Sequence, residues 1–152
     1  MTKPIPAAPT TKAERSLAMA AHMLQLFTGF LGPLLIYFGG RKSHFVAFHS
    51  LQAFLWQLAL VLGFVLIVLL ILLGDDLGIF QRGSDLTVGL VWFLAMAVIY
   101  IIPMTLVLAG VFAIKAWRGE WAEYPLIGPL ARHMAGIPRV ASAVASPAEL
   151  KH

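Results

Sequence analysis

Five polar side chains interrupt otherwise apolar stretches of this chain. His22 and Gln25 lie in "AHMLQLFTGFLGPLL", and His49, Gln52 and Gln57 in "HFVAFHSLQAFLWQLAL". Neutral imidazole is a good metal and haem ligand, and polar groups inside apolar spans are functional suspects by default. Three chemistries compete for them. A bis-histidine haem or metal site would pair His22 with His49. If the segment between them is a straight span, the rise from His22 to Gly39 separates the two by about 26 Å, too far for one cofactor. That pairing gains only if the segment re-enters the face it left. A catalytic site or polar pathway would need an acid in a span, yet every Asp and Glu falls in a loop or tail. There is no serine–histidine–acid set, no HExxH and no glycine loop for phosphate. The third chemistry is cross-helix hydrogen bonding. His49, Gln52 and Trp56 follow i, i+3, i+7 spacing and share a face, and His22, Gln25 and Thr28 do roughly the same. Such side chains join helices at about 0.6–2 kcal/mol each, and Gly29 and Gly32 allow close approach. The expectation is packing rather than catalysis, with no cofactor, no metal and no enzyme activity.

The elements that must position these residues follow from composition. The chain has 152 residues, 60% hydrophobic and only 12% charged. A soluble domain of this size carries about twice that charged fraction. Three apolar runs, 17–38, 51–73 and 86–114, each reach the roughly 20 residues that span a bilayer. The fold expected is all-α integral membrane, with three transmembrane helices and a short interfacial C-terminal segment. Residues 17–130 form the membrane domain. Residues 1–16 read as a disordered tail and 131–152 as a mobile one. The first run is about 22 residues, longer than a secretory signal core, and reads as a retained anchor. Ser43 and Ser84 are candidate N-caps, and Asp85 suits a helix N-terminus. The third run is about 43 Å long as a helix, longer than the hydrocarbon core, and is expected to kink at Pro103 and protrude toward Lys115 and Arg118.

Charge bears on partners and orientation. The net charge is +4, but the basic residues flank the spans, as headgroup and positive-inside preferences dictate, so nucleic acid is not a partner. With three crossings, Lys3, Lys12, Arg15 and Arg82 oppose Arg41, Lys42, Lys115, Arg118 and Arg132, which is nearly a tie. A re-entrant first segment with its tip at "GFLGP" would instead set eight basic residues against Arg82 alone. Its drawback is irregular backbone at membrane depth. No cysteine is present, so thiolate sites and disulfides are excluded. The segment 119–136 is too short and proline-broken to span. Glu120–Leu130 is expected to fold back as a cover, with Tyr124, Leu126 and Ile127 against Phe45 and Phe48, and Glu120 and Glu123 near Arg41 and Lys42.

Two motifs stand in a telling order. "RKSHFVAFHSLQAFLW" holds Phe45, Phe48, His49, Gln52 and Ala53 in an F-V-x-F-H-x-x-Q-A pattern opening a helix, and "GEWAEYPLIGPL" holds Tyr124, Pro125 and Leu126 after the last span. Over residues 17–130 the chain resembles the small bacterial membrane proteins related to the Tic import-channel subunit of the chloroplast inner envelope. Certain magnetosome membrane proteins resemble the same group. The resemblance implies a multi-pass protein of the bacterial cytoplasmic membrane. The function expected is that of a non-enzymatic subunit or scaffold of a membrane assembly. Its partners would be the lipid bilayer and either other membrane proteins or further copies of itself. The alternatives are a component of a protein- or solute-conducting complex and a redox anchor subunit.

Overall fold

The computed structural model describes residues 10–78 and 84–137, and these are helical with no strand. The helices are α1 (Lys12–Thr28), α2 (Leu31–Gly40), α3 (His44–Asp76), α4 (Asp85–Trp117) and α5 (Gly128–Met134). Residues 1–9, 79–83 and 138–152 lie outside the description, and with them most of both expected tails and the centre of the acidic loop. Helix α1 nonetheless begins inside the expected N-terminal tail. Thr11 accepts from the Glu14 backbone N–H, and the Glu14 side chain reaches back to the Thr11 N–H. This capping box satisfies two donors that a helix start leaves free.

The expected continuous span over 17–38 is broken. Gly29, at φ +59°, ends α1, and α2 turns back along it. A Cβ built on Gly32 would lie only 2.8 Å from the Leu24 Cβ. In a continuous helix, residues eight apart are separated by about 12 Å. Toward the other end of the hairpin, Leu17 of α1 and Gly39 of α2 line one groove, and the Ser43 side chain bonds the Glu14 carboxyl. The two helices are therefore antiparallel. Local chemistry explains the break. The Thr28 hydroxyl donates to the Leu24 carbonyl at 2.8 Å and accepts from the Gly32 N–H at 3.0 Å, so two backbone groups at the turn find partners. Pro33 falls in the first turn of α2, where its missing N–H costs no helical bond. "TGFLGP" is thus a stop and a start, not a kink.

Two helices, His44–Gly74 and Asp85–Trp117, are long and apolar enough to cross a membrane. Ser43 and Ser84 cap α3 and α4 as expected, and α4 runs on through Pro103. Each has 33 residues, or about 50 Å, against a hydrocarbon core of about 30 Å. Only one end of this pair is packed. Phe45–Ala53 of α3 and Thr105, Ala109, Phe112, Ala113 and Ala116 of α4 are buried. The far halves expose Phe64, Leu66, Leu70, Trp92, Phe93 and Tyr100. Helix α1 packs against both α3 and α4, presenting Ala18, Ala21, His22 and Gln25. Alanines at 18, 21, 109, 113 and 116 bring the backbones close, which is how helices pack where lipid removes any hydrophobic drive.

The chain then closes over this packed end. Gly119, at φ +81°, ends α4. Its N–H bonds the Ala116 carbonyl, and the Glu120 N–H bonds the Lys115 carbonyl, which together make a Schellman turn. Residues 120–127 run back across α3. Helix α5 follows and occupies the first part of the expected tail 131–152.

Candidate functional site

The hairpin brings α1 beside the start of α3, and His22 meets His49. Both side chains are fully buried. His22 Nε2 lies 3.0 Å from His49 Nδ1. The 26 Å separation expected from a straight first span is overturned, because α2 runs back along α1. The other ring nitrogens are also engaged. His22 Nδ1 is 3.1 Å from the Tyr124 hydroxyl, and His49 Nε2 is 3.1 Å from the Glu120 carbonyl. Gln25 Nε2 donates to the Tyr124 oxygen at 3.0 Å.

One proton arrangement satisfies this chain with both histidines neutral. A carbonyl only accepts, so His49 Nε2 carries a proton and donates to Glu120. His49 Nδ1 then accepts, and His22 Nε2 donates to it. His22 Nδ1 is left as an acceptor for the Tyr124 O–H, and the Tyr124 oxygen accepts from Gln25. The protons are assigned from the network, and its direction is set by the Glu120 carbonyl. Burial pushes the Tyr124 hydroxyl above its ordinary range, only partly offset by the Gln25 bond, so it stays a donor. One atom is left over: the buried Gln25 Oε1 has no partner.

The segment 120–127 is clamped by a second residue of the same α3 face. Gln52 Nε2 donates to the Ala122 carbonyl at 3.0 Å, and Gln52 Oε1 accepts from the Tyr124 N–H at 2.5 Å. One amide thus serves two backbone groups of the segment, and the buried Tyr124 N–H would cost about 1–3 kcal/mol if left unpaired. Gln57 Nε2 reaches the Gln25 carbonyl at 3.3 Å, and Trp56 Nε1 the Thr105 hydroxyl at 3.4 Å. Around the polar chain, Phe112 lies 4.2 Å from the Tyr124 ring, and Phe45 lies 4.6 Å from the His49 ring, centroid to centroid.

The residues singled out from sequence divide clearly. His22, Gln25, Phe45, Phe48, His49, Gln52, Ala53 and Tyr124 come together, all buried, with Gln57 at the margin. Pro125 and Leu126 do not join them. Leu126 is 93% exposed at a φ of +68°, central to a turn in which the Ile127 N–H bonds the Pro125 carbonyl. The cover lies over Phe45 and Phe48, but Trp121 touches them, at 5.1 and 5.5 Å, rather than Leu126. Tyr124 is enclosed by protein. Glu123 pairs with Arg132, not with Arg41 or Lys42. Sequence reasoning missed Phe112, one of many apolar α4 residues, and the Glu120 and Ala122 carbonyls, which every residue type offers alike.

For a bis-histidine metal centre the ring nitrogens would have to be free as ligands, whereas all four are engaged, two with each other and the others with Tyr124 and Glu120. Among the described residues no group of three or more His, Asp or Glu is arranged to hold a metal ion.

A family model described as the magnetosome magnetite crystal formation protein family, MamF/MmsF, matches residues 13–131. The chain belongs to this family. The match runs from the first turn of α1 into α5, so it covers the hairpin, both long helices and the clamped segment. It supports the magnetosome side of the resemblance seen in the sequence; the relationship to the Tic subunit is not part of it. No curated protein and no solved structure matches the chain. Family membership and the two exposed apolar helices support a membrane location.

Proposed function

We propose that this chain is a non-catalytic, multi-pass component of the magnetosome membrane that takes part in magnetite crystal formation. Helices α3 and α4 are its two crossings, and α1–α2 is a re-entrant hairpin. This reading takes the place of the three crossings expected from sequence. The observation that carries the reading is the fold-back at Gly29. It sets Lys12, Arg15, Arg41, Lys42, Lys115, Arg118 and Arg132 at one end of the bundle. The positive-inside bias then assigns that end to the cytoplasm. Asp76 and Asp85, at the other ends of α3 and α4, face the mineral-forming side. The hairpin tip supports immersion, since Phe27 is 81% and Leu31 55% exposed. Its backbone carries the Thr28 bonds that such depth requires.

In this reading the His22–His49–Tyr124 chain is scaffold. It locks hairpin, spans and cover into one unit at the cytoplasmic face, from which α3 and α4 project toward the mineral side. Complementation tests it. In magnetite-forming cells lacking the chain, the intact protein and His49→Asn should fractionate with magnetosomes and restore crystal size. His49→Leu should do so poorly, because it leaves His22 Nε2 and the Glu120 carbonyl without their partner. Fractionation away from magnetosomes would overturn the reading. So would a stably folded His49→Asn protein that fails to restore crystals, since that would require proton chemistry at this site.

A further inference from the structure

We propose that the groove between α1 and α4 binds an anionic phospholipid, with one acyl chain in the groove and the headgroup phosphate held by Arg15 and Arg118. The proposal rests on the membrane placement above. The groove has a volume of about 420 Å³ and is lined by Met19, Met23, Gly110, Ala113, Ile114 and Trp117. Its walls are almost wholly apolar. Their length, Gly110 to Trp117, is about 10 Å.

The charge lies at one end. Arg15 stands one turn before Met19, and Met23 one turn after it, so all three share a face of α1. On α4, Arg118 stands one turn beyond Ile114 on that residue's face. The two helices are antiparallel here, because a Cβ on Gly119 would meet the Arg15 guanidinium at 3.0 Å and the Thr10 hydroxyl at 2.8 Å. Both arginines therefore sit at the Trp117 end of the groove. Arg15 Nε donates to Thr10 at 2.8 Å. Among the described residues neither arginine pairs with a carboxylate; Glu14 is engaged by Thr11 and Ser43, and Glu120 is exposed without an ion pair. Two guanidiniums with no carboxylate partner among the described residues, beside an interfacial tryptophan and above an apolar slot, match a phosphate above an acyl chain. The groove between α1 and α2 differs. It opens toward Gly40 beside the Glu14 carboxylate, which opposes an anion.

The test is native mass spectrometry of the full chain released from vesicles of equal phosphatidylglycerol and phosphatidylcholine. Retention of phosphatidylglycerol should exceed that of phosphatidylcholine about tenfold. Arg15→Gln with Arg118→Gln should abolish the preference. Gly110→Phe should reduce retention of either lipid, since a side chain there meets nothing within 4 Å and fills the slot without displacing the backbone. Gly39→Phe, equally open but in the other groove, should leave retention unchanged. Equal retention of the two lipids, an unaffected arginine double variant, or equal losses from both phenylalanine variants would overturn the site. Displacement of the lipid by inorganic phosphate would overturn it in favour of a free anion. Release of the protein from vesicles by alkaline carbonate would instead contradict the membrane placement.

Discussion

His22 Nε2 and His49 Nδ1 share one hydrogen across 3.0 Å, although 27 residues and a complete helical hairpin separate them along the chain. The contact exists because α1 stops at Gly29 and α2 returns. The buried chain from Glu120 to Tyr124 runs through it. Tyr124 reaches His22, Glu120 reaches His49, and Gln52 holds the backbone between them.

The direction of this chain fixes both tautomers. His22 and His49 should each be neutral with the proton on Nε2. Nitrogen-15 shifts of histidine-labelled protein near pH 7 read this directly. A proton on Nδ1 of His22 would contradict the assignment, because it would face the tyrosine as a second donor.

Tyr124→Phe removes the hydroxyl that serves both His22 and Gln25. The variant should lose about 1–3 kcal/mol in detergent unfolding at neutral pH. Its alkaline behaviour carries a sign. Burial raises the tyrosine pKa in the folded state, so the stabilisation is complete below the ordinary value of 10.0 and declines as pH rises above it. Over that alkaline range the intact protein should lose up to about 1.4 kcal/mol per pH unit more than Tyr124→Phe. Parallel pH profiles would contradict a buried, neutral hydroxyl.

Much of this fold was legible in the sequence, and the parts that were not have physical causes. Ser43, Ser84 and the apolar periods located α3 and α4, because caps and burial are local signals. The polar faces His22–Gln25 and His49–Gln52 were visible from helical spacing. The partner of each face was not, since apolar length alone made 17–38 a span. The decisive signal was present in Thr28, Gly29 and Pro33, which stop one helix and open the next, but a glycine and a proline inside an apolar run are equally compatible with a kink. The Y-P-L motif pointed to the right segment and to Tyr124. It misled at Leu126, because the turn that buries the tyrosine turns the leucine outward.

Gly119 turns the chain so that the Glu120 carbonyl meets His49. Gly119→Ala should cost about 1–2 kcal/mol for the left-handed backbone alone. It should cost more through Thr10 and Arg15, which its methyl would meet. Gly78→Ala, also at positive φ but in open space, isolates the backbone contribution. Equal losses in the two variants, measured by thermal unfolding in detergent, would show that Gly119 is not spatially confined.

Leu126 pays a conformational cost at φ +68° with its side chain in the open. Leu126→Gly should leave stability unchanged or raise it by a few tenths of a kcal/mol, relieved strain outweighing the added chain entropy. A loss above about 1 kcal/mol would mean that the leucine is held by something outside this chain.

The hairpin is the claim on which the rest depends, and thiol accessibility tests it most directly. The chain has no cysteine of its own, so single cysteines at Thr10 and Arg41 bracket α1 and α2 cleanly. In sealed vesicles of known orientation, a membrane-impermeant maleimide should label both from the same side, with a cysteine at Leu77 labelled only from the other. Labelling of Thr10 and Arg41 from opposite sides would mean that the segment between them crosses the membrane, and the His22–His49 contact could not form.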